Sequence, residues 1–318
     1  MRVVLVDPSR TVLKCLTHAL EAQRHDVRSF TDAAEALQYI KLNHLVDALI
    51  TSAQLPSISG RELCLEVRRV AGGRRPIYIL LMSSSDERRN LVEALDHGAD
   101  DFISKPPITE ELYARLRAAN RIVSMQRELI KLATTDFLTG VLTRRAFFEK
   151  AQELCARGEI GGTLSTVLFD IDYFKRINDA YGHSSGDEAL RAIAREVSKE
   201  GAIVGRLGGE EFAMLFEDVP LSRAVEIAES LRVRMQQLEV AIGQQTISLT
   251  CSFGVSQWQV DDTIDVLLGR ADVALYKAKT NGRNCVVVGE CMSKMADYDR
   301  STSTIRSGGR DLQKSTAA

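Results

Sequence analysis

Along the first third of the chain, short unbroken apolar runs alternate with segments of helical periodicity. Val3–Val6, Ala48–Thr51 and Ile77–Met82 are continuously apolar, the pattern of parallel strands covered on both faces. Weaker strands are expected at Val27–Phe30 and Asp101–Ile103. Helical patterns fall at Thr11–Gln23, Asp32–Asn43, Gly60–Val70, Asp86–His97 and from Glu110 onward. This strand–helix alternation predicts a doubly wound α/β domain over residues 1–121, with five parallel strands and functional groups at their carboxyl ends.

From Ile108 to about Thr135 the sequence has no Gly or Pro and is rich in helix formers. Ala118, Ile122, Met125, Leu129 and Leu132 follow steps of four, three, four and three, a heptad-like stripe. Residues 108–135 therefore read either as one amphipathic helix or as a parallel dimeric coiled coil between two domains.

The pattern changes over 136–288. A helix (Arg144–Arg157), a strong strand (Leu164–Phe169) and helices near Phe174–Tyr181 and Ser185–Lys199 lead into a hairpin across Ile203–Phe216, with Gly208-Gly209 at its bend. A helix (Leu221–Leu238), a strand around Ile247–Cys251, a helix (Ile264–Thr280) and a last strand (Cys285–Val288) complete an α+β sheet expected to carry its helices on one face. Residues 289–318 turn to Ser, Thr, Asp, Arg and Gly, the composition of a disordered tail.

Composition narrows the function. Lys+Arg 41 against Asp+Glu 43 gives a net charge of -2, which argues against a polybasic nucleic-acid binder. No apolar run is long enough to span a bilayer and no signal-peptide core follows Met1, so a soluble cytoplasmic protein without membrane or nucleic-acid partners is expected. Six scattered cysteines lack Cys-x-x-Cys spacing and read as small buried hydrophobes.

The chemistry gathers in the second region. Strand Thr163–Phe169 runs into Asp170-Ile171-Asp172, which puts carboxylates at a strand end, and the hairpin bend carries Gly208-Gly209-Glu210-Glu211. Together they would offer oxygen ligands to a hard divalent ion such as Mg²⁺, while the glycines admit a phosphate chain close to the backbone. Lys175, Lys279 and Arg283 could neutralise phosphate charge; the last two share a helix side unless Gly282 ends the helix between them.

Asp136-Phe137-Leu138-Thr139-Gly140, Phe169-Asp170-Ile171-Asp172-Tyr173-Phe174-Lys175-Arg176-Ile177-Asn178-Asp179, Tyr181-Gly182-His183, Gly186-Asp187, Arg206-Leu207-Gly208-Gly209-Glu210-Glu211-Phe212 and Ala278-Lys279-Thr280-Asn281-Gly282-Arg283-Asn284 stand in the order and spacing of one family. The region resembles the GGDEF diguanylate cyclases, which join two GTP into cyclic di-GMP. The resemblance implies a nucleotide-cyclase-like palm and a metal site of Asp170, the Ile171 carbonyl, Glu210 and Glu211, holding Mg²⁺ or alternatively Mn²⁺. Either hairpin acid could be the base, the family favouring Glu210. Lys175 would stabilise charge on the phosphoryl group, and Asn178 with Asp187 would read guanine. Phe174 and His183 would line the pocket beside Gly208 and Gly209, and Lys279 with Arg283 would grip phosphates. Each half-site holds one GTP, so two copies must face each other, which favours a homodimer through the first domain and the helix. Members often carry an inhibitory Arg-x-x-Asp before the hairpin; the matching stretch is Lys199-Glu200-Gly201-Ala202, so no strong product inhibition there is expected.

Residues 1–121 resemble response-regulator receivers, of the flavodoxin-like architecture. Asp7 ends the first strand, Ser83 the fourth, and Phe102 precedes Lys105-Pro106, a bond expected to be cis. Receivers normally pair two acids after the first strand and take phosphate on an Asp after the third. Here Pro8 follows Asp7 and Ser52 occupies the acceptor position, so the domain reads as a pseudo-receiver that dimerises constitutively or answers a protein partner or other ligand. Kinase-dependent phosphorylation of Ser52 is the alternative, and Arg68, Arg69, Arg74 and Arg75 read as a solvated face or a docking patch. The rival functions for the whole chain are a catalytically silent GTP-binding scaffold and a cyclase making a mixed purine product.

Overall fold

A computed structural model of the protein describes residues 1–83, 98–158, 163–242 and 245–289. The helix expected at Asp86–His97 and the tail beyond Gly289 lie outside the described residues. The chain divides into two compact units, Met1–Lys131 and Leu132 onward.

The first unit is a five-stranded parallel sheet in the order β2-β1-β3-β4-β5, from β1 (Arg2–Val6), β2 (Asp26–Phe30), β3 (Ala48–Ser52), β4 (Tyr78–Ser83) and β5 (Asp101–Ser104). Helices α1 (Arg10–Ala22), α2 (Ala33–Leu42) and α3 (Gly60–Ala71) each begin at a side-chain cap: Ser9, Asp32, and a Ser59–Glu62 capping box. The continuous apolar strands feed two cores. Val4, Val6, Leu49 and Ile79 pack on α2 and α3, while Val3, Leu5, Ile50 and Leu80 pack on α1 and on α4 (Thr109–Thr134).

Helix α4 has two separate faces. Leu112, Leu116, Ala119 and Val123 are buried against the sheet, and one turn further Arg127 pairs with Asp47 at 2.5 Å. The stripe predicted from the heptad spacing lies beside that face: Met125 is 66% exposed, Leu129 64% and Leu132 67%. An apolar ridge of this kind exposes surface to water that a partner could cover.

The second unit contains a six-stranded sheet ordered β13-β12-β7-β9-β8-β6. Its members are β6 (Leu142–Thr143), β7 (Leu164–Ile171), β8 (Ile203–Gly208), β9 (Glu211–Glu217), β12 (Cys251–Gln257) and β13 (Val286–Val288). β10 (Glu239–Ile242) and β11 (Gln245–Ser248) form a separate antiparallel pair. Every residue of β7 is buried, because both faces of the sheet are covered. Val167, Phe169 and Ile171 pack toward α7 (His183–Val197) and α8 (Leu221–Gln236); Leu164 and Leu168 pack toward α5 (Arg144–Gly158) and α9 (Ile264–Thr280). The expectation of helices on one face is thus corrected: the unbroken apolar run of β7 required cover on both. Phe169 stacks with its register partners Phe212 and Phe253, each at 5.3 Å between ring centroids.

The strand expected at Ile247–Cys251 is also corrected. Its first half belongs to β11, and the longer β12 begins only at Cys251. At Gly254, in the middle of β12, a Cβ would sit 2.1 Å from the Ala271 carbonyl oxygen and 2.4 Å from the Leu275 nitrogen. Helix α9 lies directly on the strand, and only glycine allows that approach.

The hairpin bend at Gly209-Glu210 is tied to the start of the unit. Arg206 Nε donates to the Gly209 carbonyl at 2.8 Å, and its Nη1 donates to Asp136 Oδ1 at 3.1 Å. Asp136 Oδ1 also accepts from the Thr139 amide and hydroxyl, at 2.9 and 2.6 Å. These bonds hold the Asp136 carboxyl below the usual carboxylate range against the opposing effect of burial. Arg206→Ala should therefore free the bend, accelerating amide exchange at Glu210 and Glu211 by about tenfold. Hydrogen exchange followed by mass spectrometry checks this; native-like exchange would mean the turn holds itself.

Candidate functional site

The end of β7 carries the first cluster. Asp170 is register partner of Glu211 on β9 and of Ser252 on β12, and is only 7% exposed. Burial pushes its carboxyl up to about 6; the Lys279 ammonium at 2.9 Å opposes the shift, while Glu210 and Glu211 add to it. The donors at hand are hard oxygens, the type a divalent ion prefers. Among the described residues, however, no three acidic side chains already form a cage. Lys279 holds Asp170 in their place, so an ion entering there must displace or share that ammonium.

Asp172 and Tyr173 reach toward the turn after α9. Asp172 is buried and accepts from Thr250 Oγ1 and Ser252 Oγ, both at 2.7 Å, and from the Asn284 amide at 3.0 Å. Tyr173 has left-handed backbone angles (φ 56°, ψ 30°) and opens α6 (Phe174–Tyr181). The guanidinium of Arg283 lies 4.4 Å from its ring centroid and that of Arg176 4.5 Å. Helix α9 ends at Thr280, so Arg283 stands in the turn beyond Gly282 rather than on the helix with Lys279.

A second cluster forms where α6 turns into α7 through Gly182 (φ 83°). A Cβ on Gly186 would lie 2.0 Å from Asn178 Oδ1 and 3.0 Å from Phe174 Cζ. The bare glycine lets the Asn178 amide lie against the first turn of α7, beside Asp187 in sequence. Asn178 and Asp187 are half-buried, while His183 and Lys175 are exposed. Phe174 is 8% exposed and belongs to the core, so its place in the pocket is beneath Asn178. Gly208 and Gly209 are exposed at the hairpin.

In the first unit, Asp7 is fully buried and its Oδ2 lies 2.5 Å from Lys105 Nζ, which also donates to Ser52 Oγ at 3.2 Å. The other oxygen, Oδ1, accepts from the Ser9 amide at 2.8 Å. One carboxylate oxygen thus faces an ammonium and the other a backbone amide. The Lys105–Pro106 bond is cis, and the Lys105 amide donates to the Ser83 carbonyl at 2.8 Å.

Several expectations change. Arg68 is not part of a solvated face: it donates to the Gly98 and Ile77 carbonyls and pairs with Asp100. Arg75 likewise donates to the Asn43 carbonyl. Cys64, Cys155 and Cys251 are buried as expected but Cys15 is exposed, and Cys291 lies outside the described residues. None of the described helices is long and apolar enough to cross a membrane. Residue-type reasoning gave no role to Asp136, Tyr173, Gly186 or Arg206 and grouped Asp172 with the candidate oxygen ligands, whereas Thr250, Ser252 and Asn284 already occupy its carboxylate. Asp172 and those four all sit inside the quoted motifs, which was the available signal.

Comparison with known proteins agrees with this geometry. A family model described as diguanylate cyclase, GGDEF domain, matches residues 133–285, and one described as response regulator receiver domain matches residues 3–117. Response regulator PleD of Caulobacter vibrioides is 36% identical over 256 residues, which are 76% of this chain and 56% of that protein. Diguanylate cyclase VdcA of Vibrio cholerae is 39% identical over 189 residues, 56% of this chain and 55% of that protein. The chain therefore spans about half the length of these curated relatives. The solved coiled coil and GGDEF domain of DgcB from Caulobacter crescentus, in complex with c-di-GMP, is 31% identical; the match covers 56% of this chain and 98% of that one with a TM-score of 0.51. With its hairpin acids opposite Asp170 and a receiver fold ahead of them, this chain belongs to the GGDEF diguanylate cyclase family and joins that domain to a response regulator receiver domain.

Proposed function

We propose that the protein is a diguanylate cyclase, condensing two GTP into cyclic di-GMP with release of two pyrophosphates. The observation that carries this reading is the Asp170–Glu211 pairing at the mouth of the Gly208-Gly209 bend, beside Lys279. Asp170, the Ile171 carbonyl, Glu210 and Glu211 would hold a divalent ion (Mg²⁺, with Mn²⁺ as the alternative), which would supply charge neutralisation for the triphosphate and lower the pKa of the attacking hydroxyl. Asn178 and Asp187 present an amide and a carboxylate to the hydrogen-bonding edge of guanine. Lys175 has no carboxylate partner among the described residues, so its charge is free to meet the negative charge developing on the α-phosphate. Lys279 and Arg283 hold the outer phosphates. In each half-reaction the 3′-oxygen of one GTP attacks the α-phosphorus of the other, its proton goes to a hairpin acid or to water, and pyrophosphate leaves.

Two such half-sites must face each other, and the exposed Met125–Leu132 ridge on α4 supports a parallel pairing with a second copy. The docked face of α4, ending at Arg127–Asp47, is separate from this ridge, so pairing does not require the receiver to let go. The receiver carries Ser52 in place of an acceptor carboxylate and keeps Asp7 bound to Lys105, which supports control without aspartyl phosphate. In the stretch matching the inhibitory site, Lys199 is paired with Glu196 at 2.5 Å and residue 202 is Ala. The two motif positions thus hold an ammonium and a methyl in place of a forked guanidinium and a carboxylate, and the neighbouring Glu200 carboxylate is taken by Arg234.

Purified, untreated protein with GTP and Mg²⁺ should form cyclic di-GMP, while Glu211→Ala should lose at least about a hundredfold in rate. GTP binding without product, in a confirmed dimer, would favour the silent scaffold instead. Leu129→Glu should shift the protein to monomer in sedimentation and cut turnover by about tenfold or more, since one buried charge per helix disrupts a short seam. A dimer of unchanged strength would place the interface elsewhere. Added cyclic di-GMP should inhibit no differently in Lys199→Ala than in the native chain; inhibition lost in that variant would restore a product site at this stretch.

A further inference from the structure

We propose that Tyr173 is a positioning residue that sets the Arg283 guanidinium for the GTP phosphates. The proposal rests on the reading of Arg283 given above and extends it to a residue not otherwise assigned a role. Arg283 stands outside any helix, in a turn where both it and Asn284 have left-handed angles (φ 65° and 46°). A long side chain on such a turn has many rotamers to lose on binding phosphate. Two contacts from the end of β7 remove that freedom. The Asp172 carboxylate accepts from the Asn284 amide at 3.0 Å and fixes the turn. The Tyr173 ring then takes the guanidinium at 4.4 Å from its centroid, and the phenol oxygen lies 3.3 Å from Nη1.

The ring is itself held. Arg176, one turn along α6, lies 4.5 Å from the same centroid. A tyrosine at φ 56° sits in a region that bulky residues avoid, and such a conformation persists where the surroundings impose it. Neither guanidinium has a carboxylate partner among the described residues, so stacking orients Arg283 without spending its charge. A carboxylate in the ring's place would orient the arginine and also neutralise it. An aromatic face leaves the outward N–H groups ready for an anion.

The same backbone strain provides the test. Tyr173→Gly removes the ring but suits the left-handed angles, so its melting temperature should equal or exceed that of the native chain. Binding of α,β-methylene GTP, which cannot release pyrophosphate, should weaken about five- to tenfold in Tyr173→Gly and in Arg283→Ala. The double variant should bind no worse than Arg283→Ala alone. Tyr173→Phe, which keeps the aromatic face, should bind nearly as the native chain, and affinity for guanosine should be unchanged in all. Native-like analogue binding by Tyr173→Gly, with Arg283→Ala weakened, overturns the proposal alone. Equal loss of guanosine and analogue in Tyr173→Gly also overturns it, as a general structural effect. Native-like binding by Arg283→Ala removes the phosphate reading of that arginine, and the proposal with it.

Discussion

A carboxylate at the end of a fully buried strand needs a positive charge beside it, and much of the second unit is organised around that need. Asp170 is placed by β7, whose apolar residues are covered on both faces. Its register with Glu211 adds negative charge instead of relieving it. Lys279 supplies the missing cation from the last turn of α9, and that helix reaches the sheet only because Gly254 has no side chain. The site thus depends on a packing detail well away from it. The Lys279 ammonium thus balances the charge of Asp170 at the strand end.

The supporting contacts form a second layer around this centre. Arg206 links the hairpin bend to Asp136, Asp172 links the strand end to the turn after α9, and Gly186 leaves room for Asn178. The first two join residues 70 and 112 positions apart, and the third fits two adjoining helices together. Such contacts fix side chains that would otherwise sample several rotamers, and positioning of that kind is a large part of catalytic efficiency.

The legibility of the sequence followed the range of the physics. The strands of the first unit were legible because continuous apolar runs need no knowledge of their neighbours, and α4 because nothing in Ile108–Thr135 interrupts a helix. The Asp170 and Gly208–Glu211 groups were legible because acids and glycines at apolar strand ends are locally conspicuous. Where the answer lay across the sheet, local reading failed. The strand expected at Ile247–Cys251 merged the end of β11 with the start of β12, and Arg68 looked solvated although two carbonyls and Asp100 hold it. Tyr173 carried no signal of its own, since its meaning depends on Arg283, which lies 110 positions away.

The Lys105 bridge in the first unit has a consequence for timing. An ordinary receiver measures time: its acyl phosphate hydrolyses, and the signal decays with the lifetime of that bond. Asp7, Lys105 and Ser52 form a closed set of contacts with no labile bond in it. On the reading proposed above, nothing in this domain would expire. The output would follow how many copies of the chain are present and how often they meet, so the clock would move from a bond inside the protein to the rates at which the cell makes and removes it.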